Sequence, residues 1–181
     1  MPSDLPAALP ALPGLVIREA APSVSVLRVR DAEAAARRLT ESFAMAWPTS
    51  PNTISGMAPV VAWLSPGEWA LWAPFESVAE TVEQACAGLT HHLVDVSAGR
   101  RIWRIAGPRS RDLIAKGCSL DTDPRVFGPG QCAQTLLAEV AIFLMPQATE
   151  EDGSAFDLMA DVSLSGHLRA WFVDAALEYQ P

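Results

Sequence analysis

Hydrophobic positions along the chain change period several times, and the changes mark elements. Val24 to Val29 is a short β-type run, which predicts a strand. Asp31 stands where a helix N-cap belongs, ahead of an Ala/Arg/Leu-rich stretch that predicts a helix through Phe43. Pro48 to Gly56 is rich in turn formers and reads as loop. Val60 to Leu64 and Trp69 to Trp72 are two strands, and Ser65-Pro66-Gly67-Glu68 between them makes the turn of a hairpin. From Phe75 to Leu89 the apolar residues Val78, Val82, Ala85, Cys86 and Leu89 fall at helical spacing.

A second pass of the same kind follows. Leu93–Val96 and Ile102–Ala106 read as strands about a turn at Ser97-Ala98-Gly99. Gly107-Pro108 opens a helix from Arg109 to Lys116, and Gly117 closes it. After a loop from Cys118 to Gly130 come strands at Ala133–Leu137, Val140–Leu144 and Phe156–Met159, the last preceded by a polar excursion from Gln147 to Ser154. An amphipathic helix closes the chain over Ser163–Leu177. The order strand–helix–hairpin–helix thus occurs twice, at an offset of roughly 80 residues. This predicts an α+β fold of duplicated β-α-β-β-α units, mostly antiparallel sheets with helices packed on one face. The expected divisions are an extended N-terminal arm over 1–22, a first half over 23–98 and a second half over 99–181, in one domain.

Composition sharpens this. The 181 residues suffice to bury a core without disulfides or metal. A net charge of -8 argues against nucleic-acid binding. No apolar run reaches the ~18 residues of a membrane helix, although half the residues are hydrophobic. The surplus apolar surface needs a large core or a partner. Three widely spaced cysteines, Cys86, Cys118 and Cys132, fit neither a disulfide framework nor a zinc site and suit a reducing, cytoplasmic setting. The first residues carry no Lys or Arg and are broken by Pro6, Pro10 and Pro13, unlike a secretory signal.

Charge is unevenly spread. Residues 99–128 hold seven basic and three acidic residues, net +4, whereas 129–181 hold one base against eight acids, net -7. Two readings stay open at this point: faces of opposite sign that pair internally, or complementarity to a partner subunit or an anionic ligand. The candidate contacts for such an interface or anion are Arg100, Arg101, Arg109 and Arg111. Tryptophan adds two more. There are six, three of them in one hairpin, and Trp69 and Trp72, three apart on a strand, face opposite sides. Trp and Arg are favoured interface anchors.

No catalytic, cofactor-binding or metal-binding residue emerges. His91 and His92 are adjacent and do not share a face, and His167 stands alone on the last helix. There is no nucleophile elbow and no phosphate-loop or dinucleotide fingerprint. Cys118 follows a helix C-terminus, where the dipole disfavours a thiolate. Asp121 and Asp123, beside Pro124, read as turn formers.

Four segments carry a resemblance: Ala62–Trp69 (AWLSPGEW), Val94–Ser97 with Arg100, Gly107–Asp121, and Phe127–Thr135. They resemble the gamma subunit of heterotetrameric sarcosine oxidase, the run from Arg111 to Thr135 most specifically. Arg104 departs from the pattern, standing in a strand where an apolar residue is expected. The family is similar in fold to the folate-binding domain of the glycine-cleavage aminomethyltransferase. The resemblance implies a non-catalytic subunit with alpha, beta and delta partners, and self-association when isolated. It also implies that FAD, FMN, NAD and tetrahydrofolate lie in the partner subunits and that no cofactor is bound by this chain. The implied reaction of the complex is oxidative demethylation of sarcosine to glycine, with transfer of the one-carbon unit to tetrahydrofolate. The alternative is a stand-alone folate-binding or one-carbon-transfer protein, with an anion site near Arg100 to Arg111.

Overall fold

The computed structural model describes residues 12–148 and 154–180. Strand β1 (Val16–Ala20) comes first. It lies inside the arm expected over 1–22 and corrects that expectation. Leu15 and Ile17 are buried, and the strand pairs antiparallel with a strand some eighty residues later. Residues 1–11 of the expected arm, and most of the polar excursion near 150, lie outside the described residues.

The chain divides into two units, Pro22–Ala98, and Met1–Ala21 with Gly99–Pro181. In the first, β2 (Val24–Val29) is followed by α1 (Ala32–Phe43). The Asp31 carboxylate accepts from the Ala34 N–H at 3.0 Å, which satisfies one of the orphan donors of the helix start. Next come the two-residue β3 (Ile54–Ser55), β4 (Val60–Ser65), β5 (Glu68–Trp72), α2 (Phe75–Ala85) and β6 (His91–Asp95). The antiparallel sheet has the order β3-β4-β5-β2-β6. Leu39 of α1 and Val78 and Val82 of α2 are buried in one cluster with Leu27, Val61, Trp69 and Leu71 of the sheet, so both helices cover the same face. Each such side chain contributes about 1.5–3 kcal/mol of burial.

The hairpin turn between β4 and β5 is closed by its own polar groups. Ser65 Oγ donates to Glu68 at 2.8 Å, and Arg28 pairs with the same carboxylate at 2.7 Å. Gly67 has a φ of +76°, and a Cβ there would meet the Val29 carbonyl oxygen at 2.4 Å. The turn therefore requires glycine twice over. The ends of this unit are clasped: the Val24 N–H donates to Ser97 Oγ at 2.9 Å, and the Val96 N–H to the Val24 carbonyl at 3.0 Å.

The second unit comprises β1, β7 (Arg100–Gly107), α3 (Ser110–Ala115), β8 (Ala133–Leu137), β9 (Val140–Gln147), β10 (Ser154–Asp161) and α4 (Ser165–Ala175). Its sheet order is β1-β7-β10-β9-β8. Leu113 and Ile114 of α3 and Leu168 and Phe172 of α4 pack with Ile17, Trp103, Ile105, Phe156 and Leu158. The fold is thus α+β, with antiparallel sheets and helices on one face of each. Two boundaries differ from expectation. The closing helix is interrupted, with 3-10 turns at Val162–Leu164 and Leu177–Tyr179 flanking α4. The helix expected from Arg109 to Lys116 is one residue shorter at each end, with Arg109 and Lys116 as its caps.

Candidate functional site

The two tryptophans face opposite sides of β5 as their spacing requires, with different fates. Trp69 is 1% exposed and belongs to the core. Its indole N–H donates to the Pro48 carbonyl at 2.7 Å, and its ring meets Trp47 edge-on at 6.0 Å. Trp69 is therefore not a surface anchor. Its register with Leu71 on the same face of the strand was the available sign. Trp72 is half-buried on the other face.

The arginines do not converge on one anion. Arg100 pairs with Asp161 at 3.1 Å across the β7–β10 ladder. Arg101 and Arg169 flank Glu19 of β1, whose side chain is 8% exposed, at 4.0 and 3.1 Å. Arg104 binds both oxygens of the buried Asp157 directly opposite it, which explains a charge in that strand. Arg109 reaches Asp112 at 3.4 Å. Arg111 lies over the Phe156 ring at 4.9 Å, and burial lowers its pKa. Arg100 and Arg104 of the +4 segment, together with Lys116, which meets Glu178 at 2.5 Å, pair with acids of the -7 segment. Three bases of the first segment and three acids of the second are thus paired inside one unit. Glu19 and Asp157 escaped the sequence reading because their partners lie up to 150 residues away.

Two cavities stand out. The first, of about 320 Å³, is lined by Arg109, Asp112, Lys116, Glu178 and Tyr179. Arg109 and Lys116 both stand over the Tyr179 ring, at 5.8 and 4.7 Å. With two bases facing two acids, and with a helix of only six residues behind Arg109, it does not fit a dinucleotide pyrophosphate. The second, of about 370 Å³, lies by the hairpin turn of the unit Pro22–Ala98 and is mostly apolar. Trp63, Trp69, Pro51 and Pro66 form its walls, and Thr49 and Glu33 supply polar groups.

The titratable groups are held in structural roles. None of the three cysteines is in a disulfide and all are buried, and burial pushes the Cys132 thiol up to about 12. His91, which opens β6, has its ring nitrogens 3.0 Å from the Leu89 carbonyl and 3.0 Å from Glu83. Asp121 and Asp123 accept from backbone N–H groups two residues on, and Arg125 holds Asp123 well below the usual carboxylate range. Among the described residues no group of three or more His, Cys, Asp or Glu is placed to hold a metal ion, and no helix is long and apolar enough to cross a membrane.

Comparison with known proteins adds the following. The sarcosine oxidase, gamma subunit family matches residues 30–178. A sarcosine oxidase subunit gamma from Arthrobacter sp is 27% identical over 169 residues, 91% of this chain and 81% of that protein. One from Corynebacterium sp. (strain U-96) is 28% identical over 127 residues, 70% of this chain and 59% of that protein. Among solved structures, a chain of the heterotetrameric sarcosine oxidase from Corynebacterium sp. U-96 in complex with pyrrole 2-carboxylate matches with a TM-score of 0.83. That match covers 98% of this chain and 91% of the other at 23% identity, a likeness of fold.

Proposed function

The chain belongs to the sarcosine oxidase gamma subunit family, and from that premise we propose that it is a non-catalytic subunit of a heterotetrameric, sarcosine-oxidase-type complex. The family match across residues 30–178 carries this reading. In it, alpha and beta subunits hold the flavins FAD and FMN, the NAD and the tetrahydrofolate site, and a delta subunit completes the assembly. The complex oxidises the N-methyl group of sarcosine, releases glycine and hydrogen peroxide, and hands the one-carbon unit to tetrahydrofolate. The gamma chain contributes surface rather than chemistry. Most of its candidate site arginines, together with His91, Asp121 and Asp123, are engaged in ion pairs and turns, which supports that assignment.

Exposed apolar side chains supply surface for partners. Leu136 is 55% exposed on the edge strand β8, which has no charged residue to discourage pairing with another chain. Val173 and Leu177, four apart, are both about half exposed at the end of α4 and just beyond it. Left uncovered, such residues favour self-association of the isolated chain. The buried thiols, none of them in a disulfide, suit a reducing cytoplasm. Co-expression with the alpha and beta subunits followed by size-exclusion chromatography tests the reading. The chain is expected to elute with them as one complex, and elution apart from them overturns it.

A further inference from the structure

The hairpin turn of the unit Pro22–Ala98 builds more than a reversal of direction. Trp63 and Trp69 are direct cross-strand partners on β4 and β5. Gly67, pressed against Val29, holds Pro66 beside them. The loop after α1 adds Pro51 and Thr49 to the lining, and the first turn of α1 adds Glu33. The result is the cavity of about 370 Å³, partly open to solvent. Glu33 is exposed, and among the described residues no side-chain hydrogen bond or ion pair of its carboxylate is found.

We propose that this pocket receives an arginine side chain presented by a partner polypeptide. Trp69 is buried behind the wall, so the half-buried Trp63 indole and the flat proline rings are the surfaces that match the planar guanidinium, whose face stacks on an aromatic ring. Glu33 supplies the opposite charge. A purely apolar side chain would cover that carboxylate without pairing it, at a cost. The open side argues against a free small molecule, which a pocket of its own would enclose more fully. An arginine standing on another protein surface closes that side with the surface it comes from. The proposal rests on the reading that this chain assembles with other subunits.

The test uses the full chain and two probes, acetyl-argininamide and its neutral isostere acetyl-citrullinamide, with the Trp63 indole and Gly67 amide signals read by NMR. The arginine probe is expected to shift both signals saturably. The citrulline probe is expected to bind at least about tenfold more weakly, and Glu33→Gln to erase the difference. Glu33 is exposed on the first turn of α1, so this variant keeps the fold. No shift with either probe, equal binding of both, or a preference that survives in Glu33→Gln overturns the proposal. Tetramethylammonium binding as tightly as the arginine probe overturns it in favour of a free small cation. A chain that elutes with the alpha and beta subunits yet fails these titrations leaves the functional reading standing and removes only the pocket's role.

Discussion

The two units solve one topology with different materials. Laid side by side, β3-β4-β5-β2-β6 and β8-β9-β10-β7-β1 are the same sheet: a hairpin in the middle, an opening strand beside it, and a fifth strand on the outer edge. In Pro22–Ala98 that fifth strand, β6, follows α2 directly. In the other unit it is β1, taken from before the whole first unit. The side chains differ in degree. Each core holds a run of rings, Phe43, Trp47 and Trp69 in one and Trp103, Phe172 and Trp171 in the other, and the second unit adds carboxylates gripped by arginines at Glu19 and Asp157 of its sheet, where the first has the exposed Arg28 on Glu68. The comparison teaches that the antiparallel order is set by the hairpin and its flanking helices. The edge position accepts any strand of suitable pattern, from either side in the chain.

The largest expected effect breaks the aromatic side of this comparison. Trp69→Ala removes a fully buried indole, its hydrogen bond to Pro48 and its contact with Trp47. It should cost about 3–5 kcal/mol. Hydrogen exchange read by mass spectrometry should show lost protection in β2, β4 and β5, with β7 and β10 unchanged. Equal loss in both would mean that the units unfold as one and that the contrast in their cores has no separate consequence.

A smaller effect probes the gripped edge. Glu19→Gln leaves Arg101 and Arg169, each about 30% exposed on the side chain, without their shared carboxylate. It should destabilise the β1–β7 pairing by about 1–2 kcal/mol, since a charge-assisted hydrogen bond is lost but the arginines retain some water. Urea unfolding should register it as a lower midpoint with unchanged slope.

The smallest effect concerns the other edge, which is held by a titratable group. The His91 pKa is raised chiefly by the hydrogen bond to the Leu89 carbonyl, against the opposing effect of burial and with help from Glu83. Both ring nitrogens face acceptors, and only imidazolium donates from both. A raised folded-state pKa means that the stabilisation is complete below the unfolded value of about 6.5 and is lost as pH rises through the folded value. The melting temperature of the native chain should therefore fall relative to that of His91→Gln as pH rises above about 6.5. Parallel curves would show that the His91 contacts do nothing to hold the β6 edge.

Much of this was legible in local pattern. Asp31 and the run behind it state the β2–α1 junction, and the Ser-Pro-Gly-Glu turn states the hairpin, because the partners involved lie within a few residues of each other. What stayed hidden is long-range. Val-Ile-Arg-Glu-Ala at β1 alternates too briefly to stand out beside a proline-rich start, and it is a strand only because β7 lies across from it. The pairing of Arg104 with Asp157 depends on a register that no local rule sets. The pocket was hidden for the same reason. Glu33, Pro51 and Pro66 are unremarkable singly, and only the fold brings them together with two indoles.

The clasp between Val24 and Ser97 has a consequence for the order in which the protein is made. The unit it closes is complete when residue 98 leaves the ribosome, whereas β1, made earlier, must wait for β7. Closing a loop of that length from a disordered chain carries an entropic cost that grows with its length. A folded first unit, its two ends pinned together, shortens that loop to a few residues. Strands β1 and β7 then meet after short connections only, and Ala20 pairs with Ile102 as a near neighbour would. The first half thus acts as a scaffold for the assembly of the second.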